Sequence, residues 1–291
     1  FIYLSFIVNL INFFGEFKMS VRIEKQENVW TIIHSRPEAR NAMDPKSADD
    51  LYNAFIEFEN SKEAFVAVFW GEGGSFCAGW DLKYASSLKG SASLADLDIP
   101  KDRNIHDNGS DIPRGPLGPS RLELSKPVIG AISGPAVAGG MELALWCDFR
   151  VMEKSSYLGV YCRRWGIPLI DGGTVRLPKI VGQGRALEII LTGRKVTSDE
   201  CLNIGLCEYI VEDGNSRNKA EEIAKNIAKF PQECVRADRH STLKQSNLNI
   251  KEGLFFEWNN SMKNNILSKE GINGAGRFSN GHGRHGDFED I

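Results

Sequence analysis

Two glycine-bearing turns hold the residues best suited to chemistry: Phe76-Cys77-Ala78-Gly79-Trp80-Asp81-Leu82-Lys83 and Gly134-Pro135-Ala136-Val137-Ala138-Gly139-Gly140-Met141-Glu142-Leu143-Ala144. Each follows a short apolar run that reads as a buried strand, Val66–Trp70 or Val128–Ile132, and each leads into a predicted helix start. N–H groups at a helix start lack internal acceptors and sit at the positive end of the helix dipole. Two such starts converging on one point make an oxyanion hole, and Glu142 is a carboxylate placed to move a proton beside it. Glycine turns also serve plain packing in α/β proteins, so one turn alone specifies no activity. Neither turn has the G-x-G-x-x-G spacing of a dinucleotide site or the G-x-x-x-x-G-K-[ST] spacing of a phosphate loop.

The elements that position these turns are legible from periodicity. Two apolar stretches within Val21–Ile33 flank a polar turn and predict a β-hairpin. Ser47–Asn60 places Leu51, Phe55 and Phe58 on one helical face, and the run Phe65–Trp70, bounded by Gly71, predicts a buried strand. Strand, turn and helix then recur, which implies an α/β fold of stacked β-β-α units with a partly parallel sheet. Ser86–Arg121 is rich in Ser, Gly, Pro, Asp and Asn and reads as a long loop or short-helix insertion, of the kind that forms lids or pocket walls. After Val211 the pattern is helical. Asn215 or Ser216 is the expected cap of a helix ending before Pro231, and Leu254, Phe255, Trp258 and Met262 form an apolar stripe suited to core or subunit contact. Gly271–Ile291 reads as a tail whose His282 and His285 are a poor metal signal.

The bulk properties exclude several classes. The 291 residues are 42% hydrophobic, which fits one large globular domain with a helical extension rather than a fibrous or disordered chain. With 35 Lys plus Arg against 38 Asp plus Glu, the net charge of −3 does not point to nucleic acid. The six cysteines contain no C-x-x-C pair and read as reduced thiols of an intracellular, cytoplasmic or mitochondrial protein. Phe1–Lys18 is apolar but lacks a positive n-region and a small-residue cleavage site, so it reads as a translated leader or gene-model artefact rather than a targeting or membrane segment.

Four ordered segments together resemble the crotonase superfamily, also called the enoyl-CoA hydratase/isomerase family. They are Arg36-Pro37-Glu38-Ala39-Arg40-Asn41-Ala42, the first glycine turn, the stretch Gly134–Asp148, and Gly166–Pro178 with its Pro-Leu-Ile-Asp-Gly-Gly turn. The resemblance spans about residues 20–285. It implies a crotonase-like spiral over residues 19–213, following the leader at 1–18, and a C-terminal helical oligomerisation region and tail over 214–291. It also implies an acyl-CoA thioester substrate, no metal or redox cofactor, no membrane partner, and a homotrimer or hexamer.

On matching positions the resemblance implies that Ala78 and Gly139 donate the oxyanion hydrogen bonds and that Glu142 is the principal acid/base. Arg40 is then a phosphate contact, and Ala42, Asp81 and Leu82 border the coenzyme through backbone groups. The family's second glutamate falls on Cys162, which reads more naturally as a small buried residue than as a nucleophile. Asp171 is the replacement acid or, alternatively, a cap for the helix after Gly172. Arg163 and Arg164 are ion-pair or coenzyme-contact candidates. The implied activity is enoyl-CoA hydration. Isomerisation, 3-hydroxyacyl-CoA hydrolysis and a non-catalytic CoA-binding or RNA-binding role are the alternatives.

Overall fold

In the computed structural model, which describes residues 19–99 and 113–288, the expected hairpin forms from β1 (Val21–Gln26) and β2 (Val29–His34). The leader expectation for residues 1–18 lies outside the described residues. Helix α1 (Pro45–Asn60) starts two residues before Ser47 because Asp44 accepts the Ser47 N–H at 2.8 Å and Pro45 occupies the first helical position. Its buried face carries Leu51, Ala54, Phe55 and Phe58. The Phe55 ring meets Phe69 of β3 (Val66–Gly71) edge-on, with centroids 5.6 Å apart.

From β2 onward the main sheet is parallel. β3 pairs with β2, β4 (Val128–Ile132) with β3, and β6 (Phe149–Glu153) and β9 (Tyr209–Val211) extend the order to β1-β2-β3-β4-β6-β9. A second sheet joins β5 (Pro135–Val137), β7 (Tyr157–Gly159) and β8 (Lys195–Thr197). Parallel strands point the same way, so the turns after β3 and β4 emerge at one edge of the sheet, where α/β folds collect their ligands. Each turn feeds a short helix, α2 (Leu82–Ser87) and α3 (Gly139–Trp146). Helix α4 (Gly173–Val181) packs against α3 and is followed by α5 (Gln183–Thr192) and α6 (Ser198–Asn203).

Helix α7 (Ser216–Ala228) covers the other face of the main sheet with Ala220 and Ala224 against Val66, Val68 and Ile129. Neither Asn215 nor Ser216 caps it by a side-chain bond. Ser216 Oγ instead donates to Glu153 Oε1 at 2.8 Å, tying the helix to β6. Helix α8 (Gln232–Lys244) anchors through Arg239, whose Nε lies 2.9 Å from Asp148 Oδ2. Helix α9 (Ile250–Met262) leaves Leu254, Phe255 and Trp258 60%, 72% and 64% exposed. Within the expected tail, Ile272–Ser279 forms helix α10. The six cysteines are unpaired, five of them buried. Among the described residues no helix is long and apolar enough to cross a membrane, and no group of metal-binding side chains assembles.

Candidate active site

The two glycine turns touch. Cys77 forms a parallel bridge with Ala136, and Val137 N donates to Cys77 O at 3.0 Å. A Cβ on Gly140 would stand 2.0 Å from the Cys77 carbonyl oxygen, and one on Gly79 would stand 2.9 Å from the Gly139 nitrogen. Glycine is what lets the backbones come this close. Gly140→Ala therefore forces the turns apart. The expected destabilisation is about 1–3 kcal/mol, read as a lowered Tm together with lost activity; an unchanged Tm would mean the contact is not tight.

The donor expected at Ala78 is corrected by this geometry. Ala78 N donates to Arg40 O at 3.1 Å, and Gly79 N points to Cys77 Sγ at 3.3 Å. Trp80 forms a parallel bridge with Met43, in which Met43 N bonds Gly79 O and Asp81 N bonds Met43 O, so the Trp80 amide itself faces away and has no acceptor among the described residues. At the second turn Ala138 N donates to Gly159 O at 2.8 Å, leaving the amide of Gly139, the first residue of α3, unengaged among the described residues. Trp80, Gly139, Glu142, Cys162 and Asp171 all line one cavity of about 390 Å³. A larger cavity of about 910 Å³, bordered by Lys126, Phe230 and Arg236, contains no residue of either turn.

Glu142 and Asp171 are each only 3% exposed. Glu142 Oε1 accepts the backbone N–H groups of Asp171 at 2.9 Å and Gly173 at 2.8 Å, so it sits at the amino end of α4 as well as on α3. Burial, and then the Asp171 charge, push its carboxyl up from 4.5 to about 7. Its second oxygen has no hydrogen-bond partner among the described residues and is not sealed from solvent, which leaves it open to the cavity. Asp171 does not cap α4, whose cap residue Gly172 makes no side-chain bond. The Asp171 carboxylate instead accepts from Leu117 N at 3.1 Å and from the Ser120 hydroxyl, while Arg176 ties Asp171 O and Ser120 O together at 2.9 and 2.8 Å. Burial raises Asp171 above the usual carboxylate range against these donors. The described end of the insertion, residues 113–121, is thus a wall of the site, as its length suggested.

The remaining candidates divide. Arg40 is exposed and borders the cavity, as does Leu82. Ala42 N is engaged by Ala39 O at 3.0 Å and Asp81 N by Met43 O at 2.9 Å, so neither amide is free for a coenzyme. The Asp81 carboxylate caps α2 and pairs with Arg36 at 3.2 Å. Cys162 is buried, and burial together with the Glu142 charge raises its thiol, which favours the neutral form.

The family model for enoyl-CoA hydratase/isomerase matches residues 24–279. The chain belongs to the enoyl-CoA hydratase/isomerase family. The putative enoyl-CoA hydratase/isomerase YngF of Bacillus subtilis is 33% identical to it, over 80% of this chain and 85% of its own. The short-chain-enoyl-CoA hydratase of Clostridium acetobutylicum is 31% identical over 82% of this chain and 86% of its own. A crystal structure of enoyl-CoA hydratase from Bacillus anthracis matches with a TM-score of 0.78 and 27% identity, covering 90% of this chain and 96% of that one. The two-sheet core with its C-terminal helices is therefore the crotonase fold expected from the sequence.

For this crotonase-fold enzyme, sequence reasoning missed the Trp80 amide, Leu117, Ser120 and Arg176. Trp80 lay inside a motif already singled out, and only bridge parity with Met43 distinguishes it from Ala78. Ser120 and Arg176 belong to segments more than fifty residues apart and carry no local signal.

Proposed function

We propose that this enzyme acts on an acyl-CoA thioester and hydrates its enoyl double bond. The observation that carries this reading is the open oxygen of Glu142 sharing a 390 Å³ cavity with the unengaged amides of Trp80 and Gly139. A thioester carbonyl set between the two amides gains stabilisation as its oxygen becomes negative, and each such donor is worth about 3–4 kcal/mol in the transition state. Glu142 takes a proton from water as the oxygen adds to the β-carbon. Electron density moves through the double bond onto the thioester oxygen, and return of a proton to the α-carbon completes the addition. A carboxyl near 7 is suited to both halves of that exchange at neutral pH.

The second reading is double-bond isomerisation, in which Glu142 shuttles one proton between two carbons. It is favoured by the thiol of Cys162 standing where the family resemblance calls for a second carboxylate. Hydrolysis of a 3-hydroxyacyl-CoA is the third reaction to test, given the carboxylate of Asp171 on the cavity wall. Side-by-side assays with crotonyl-CoA, a 3-enoyl-CoA and a 3-hydroxyacyl-CoA discriminate among them. The expected result is fastest turnover of crotonyl-CoA to the 3-hydroxy product; no turnover of any of the three would overturn the proposal.

The exposed side chains of Leu254, Phe255 and Trp258 support assembly through the C-terminal helices into a trimer or hexamer. Light scattering at micromolar concentration is expected to give at least three times the 32.3 kDa chain mass. A monomer there would refute the assembly.

A further inference from the structure

The cavity wall that follows β7 carries positive charge on aromatic faces. Tyr157, Tyr161, Arg164 and Trp165 all border the cavity. The Arg164 guanidinium carbon lies 4.5 Å from the Tyr161 ring centroid and 5.9 Å from that of Trp165. Lys195 Nζ lies 4.3 Å from the Tyr157 centroid, and the two tyrosine rings are 6.0 Å apart. Among the described residues neither Arg164 nor Lys195 has a carboxylate partner, whereas Arg163 turns away and donates to Ile190 O at 3.3 Å. A guanidinium resting on a ring face keeps its charge and its N–H fork available on the rim.

The charged side chains on this cavity are Arg40 and Arg164 against Glu142 and Asp171. The two carboxylates are buried and bonded to backbone amides and to Ser120, so they do not pair with Arg164. Arg40 lies against the first turn, where its carbonyl accepts from Ala78 N at 3.1 Å, and it lines the cavity. Arg164 stands instead in the single helical turn Tyr161–Trp165 that also brings Cys162 to the cavity beside Glu142. With Arg40 the candidate for a coenzyme phosphate, Arg164 is the cavity's second cation and is carried by the same short turn as Cys162. The positive charges of Arg164 and Lys195 make this wall unfavourable for a quaternary ammonium group.

We infer that Arg164 selects an acyl group that ends in a carboxylate, making a short dicarboxylic acid monothioester of coenzyme A the preferred substrate class. This rests on the acyl-CoA reading of the site. The guanidinium matches a carboxylate with two parallel N–H bonds, which a methyl-terminated chain cannot use.

Calorimetric titration with saturated thioesters tests the inference without turnover, using glutaryl-CoA, butyryl-CoA, 4-trimethylammoniobutyryl-CoA and free coenzyme A. Glutaryl-CoA is expected to bind the wild-type enzyme at least tenfold more tightly than butyryl-CoA, with the trimethylammonium thioester weakest. Arg164→Met should erase the difference while leaving butyryl-CoA within about threefold of wild type. Arg164→Lys should retain part of the preference, and Arg164→Glu should transfer it to the trimethylammonium thioester. Equal binding of glutaryl-CoA and butyryl-CoA to the wild type overturns the inference. So does an equal weakening of all four ligands by Arg164→Met, which would make Arg164 a coenzyme contact. Failure of every thioester to bind overturns the acyl-CoA reading itself.

Discussion

Glu142→Gln is expected to lower turnover by about 10²–10⁴-fold while changing acyl-CoA binding less than about threefold. Glutamine retains the oxygen that accepts from Asp171 N at 2.9 Å and Gly173 N at 2.8 Å, so the link between α3 and α4 survives and only the titrating proton is removed. The wild-type rate should rise with pH through about 7, since the base is the ionised form. Stability runs the other way. The folded carboxyl titrates near 7 rather than its ordinary 4.5, so its contribution is present below 4.5 and is lost as pH rises through 7. That loss corresponds to about 3 kcal/mol, which Glu142→Gln avoids. The inactive variant should melt higher than wild type at pH 8 and no higher at pH 4. Undiminished turnover would remove Glu142 from the chemistry, and equal melting at pH 8 would show that its ionised form is not strained.

Asp171→Asn is expected to cut turnover at least tenfold with a small change in folding, and Cys162→Ala to be nearly silent. Asparagine can still accept from Leu117 N, but it loses the charge and holds the Ser120 hydroxyl less strongly. Its effect on pH separates a proton-handling group from a structural one. The Asp171 charge is part of what raises Glu142, so removing it lowers the Glu142 carboxyl and moves the acid limb of the rate profile to lower pH. Cys162→Glu, which restores a carboxylate where the family resemblance places one, should raise crotonyl-CoA hydration. Full activity in Asp171→Asn, combined with inactivity of Cys162→Ala, would transfer the second role to the thiol.

Much of the scaffold could be read directly. The hairpin, the strand Val128–Ile132 and the helices after both glycine turns follow from short-range periodicity, and they appear where that periodicity puts them. The errors sit where a local rule met a distant partner. Ser216 has good capping chemistry but bonds Glu153 across the chain, and Asp171 stands before a helix yet holds a loop more than fifty residues away. Capping preference is worth about 1 kcal/mol, comparable to a buried tertiary hydrogen bond, so proximity in the fold decides. The glycine-rich segment read as a tail, Gly271–Ile291, contains a helix across Ile272–Ser279 despite glycine's low helix propensity.

The site divides in the same way. The sequence by itself determined that two glycine turns each follow a short buried strand, that Glu142 follows the second, and that the family resemblance's second glutamate falls on Cys162. Those facts depend on residue identity and spacing. Only the tertiary structure decided that the free amide belongs to Trp80 rather than Ala78, because pairing with Met43 turns alternate amides to opposite sides. Only it decided that Asp171 braces the cavity wall and that Glu142 holds its proton to about pH 7. Burial and opposing charge act through space, between residues that no local pattern joins.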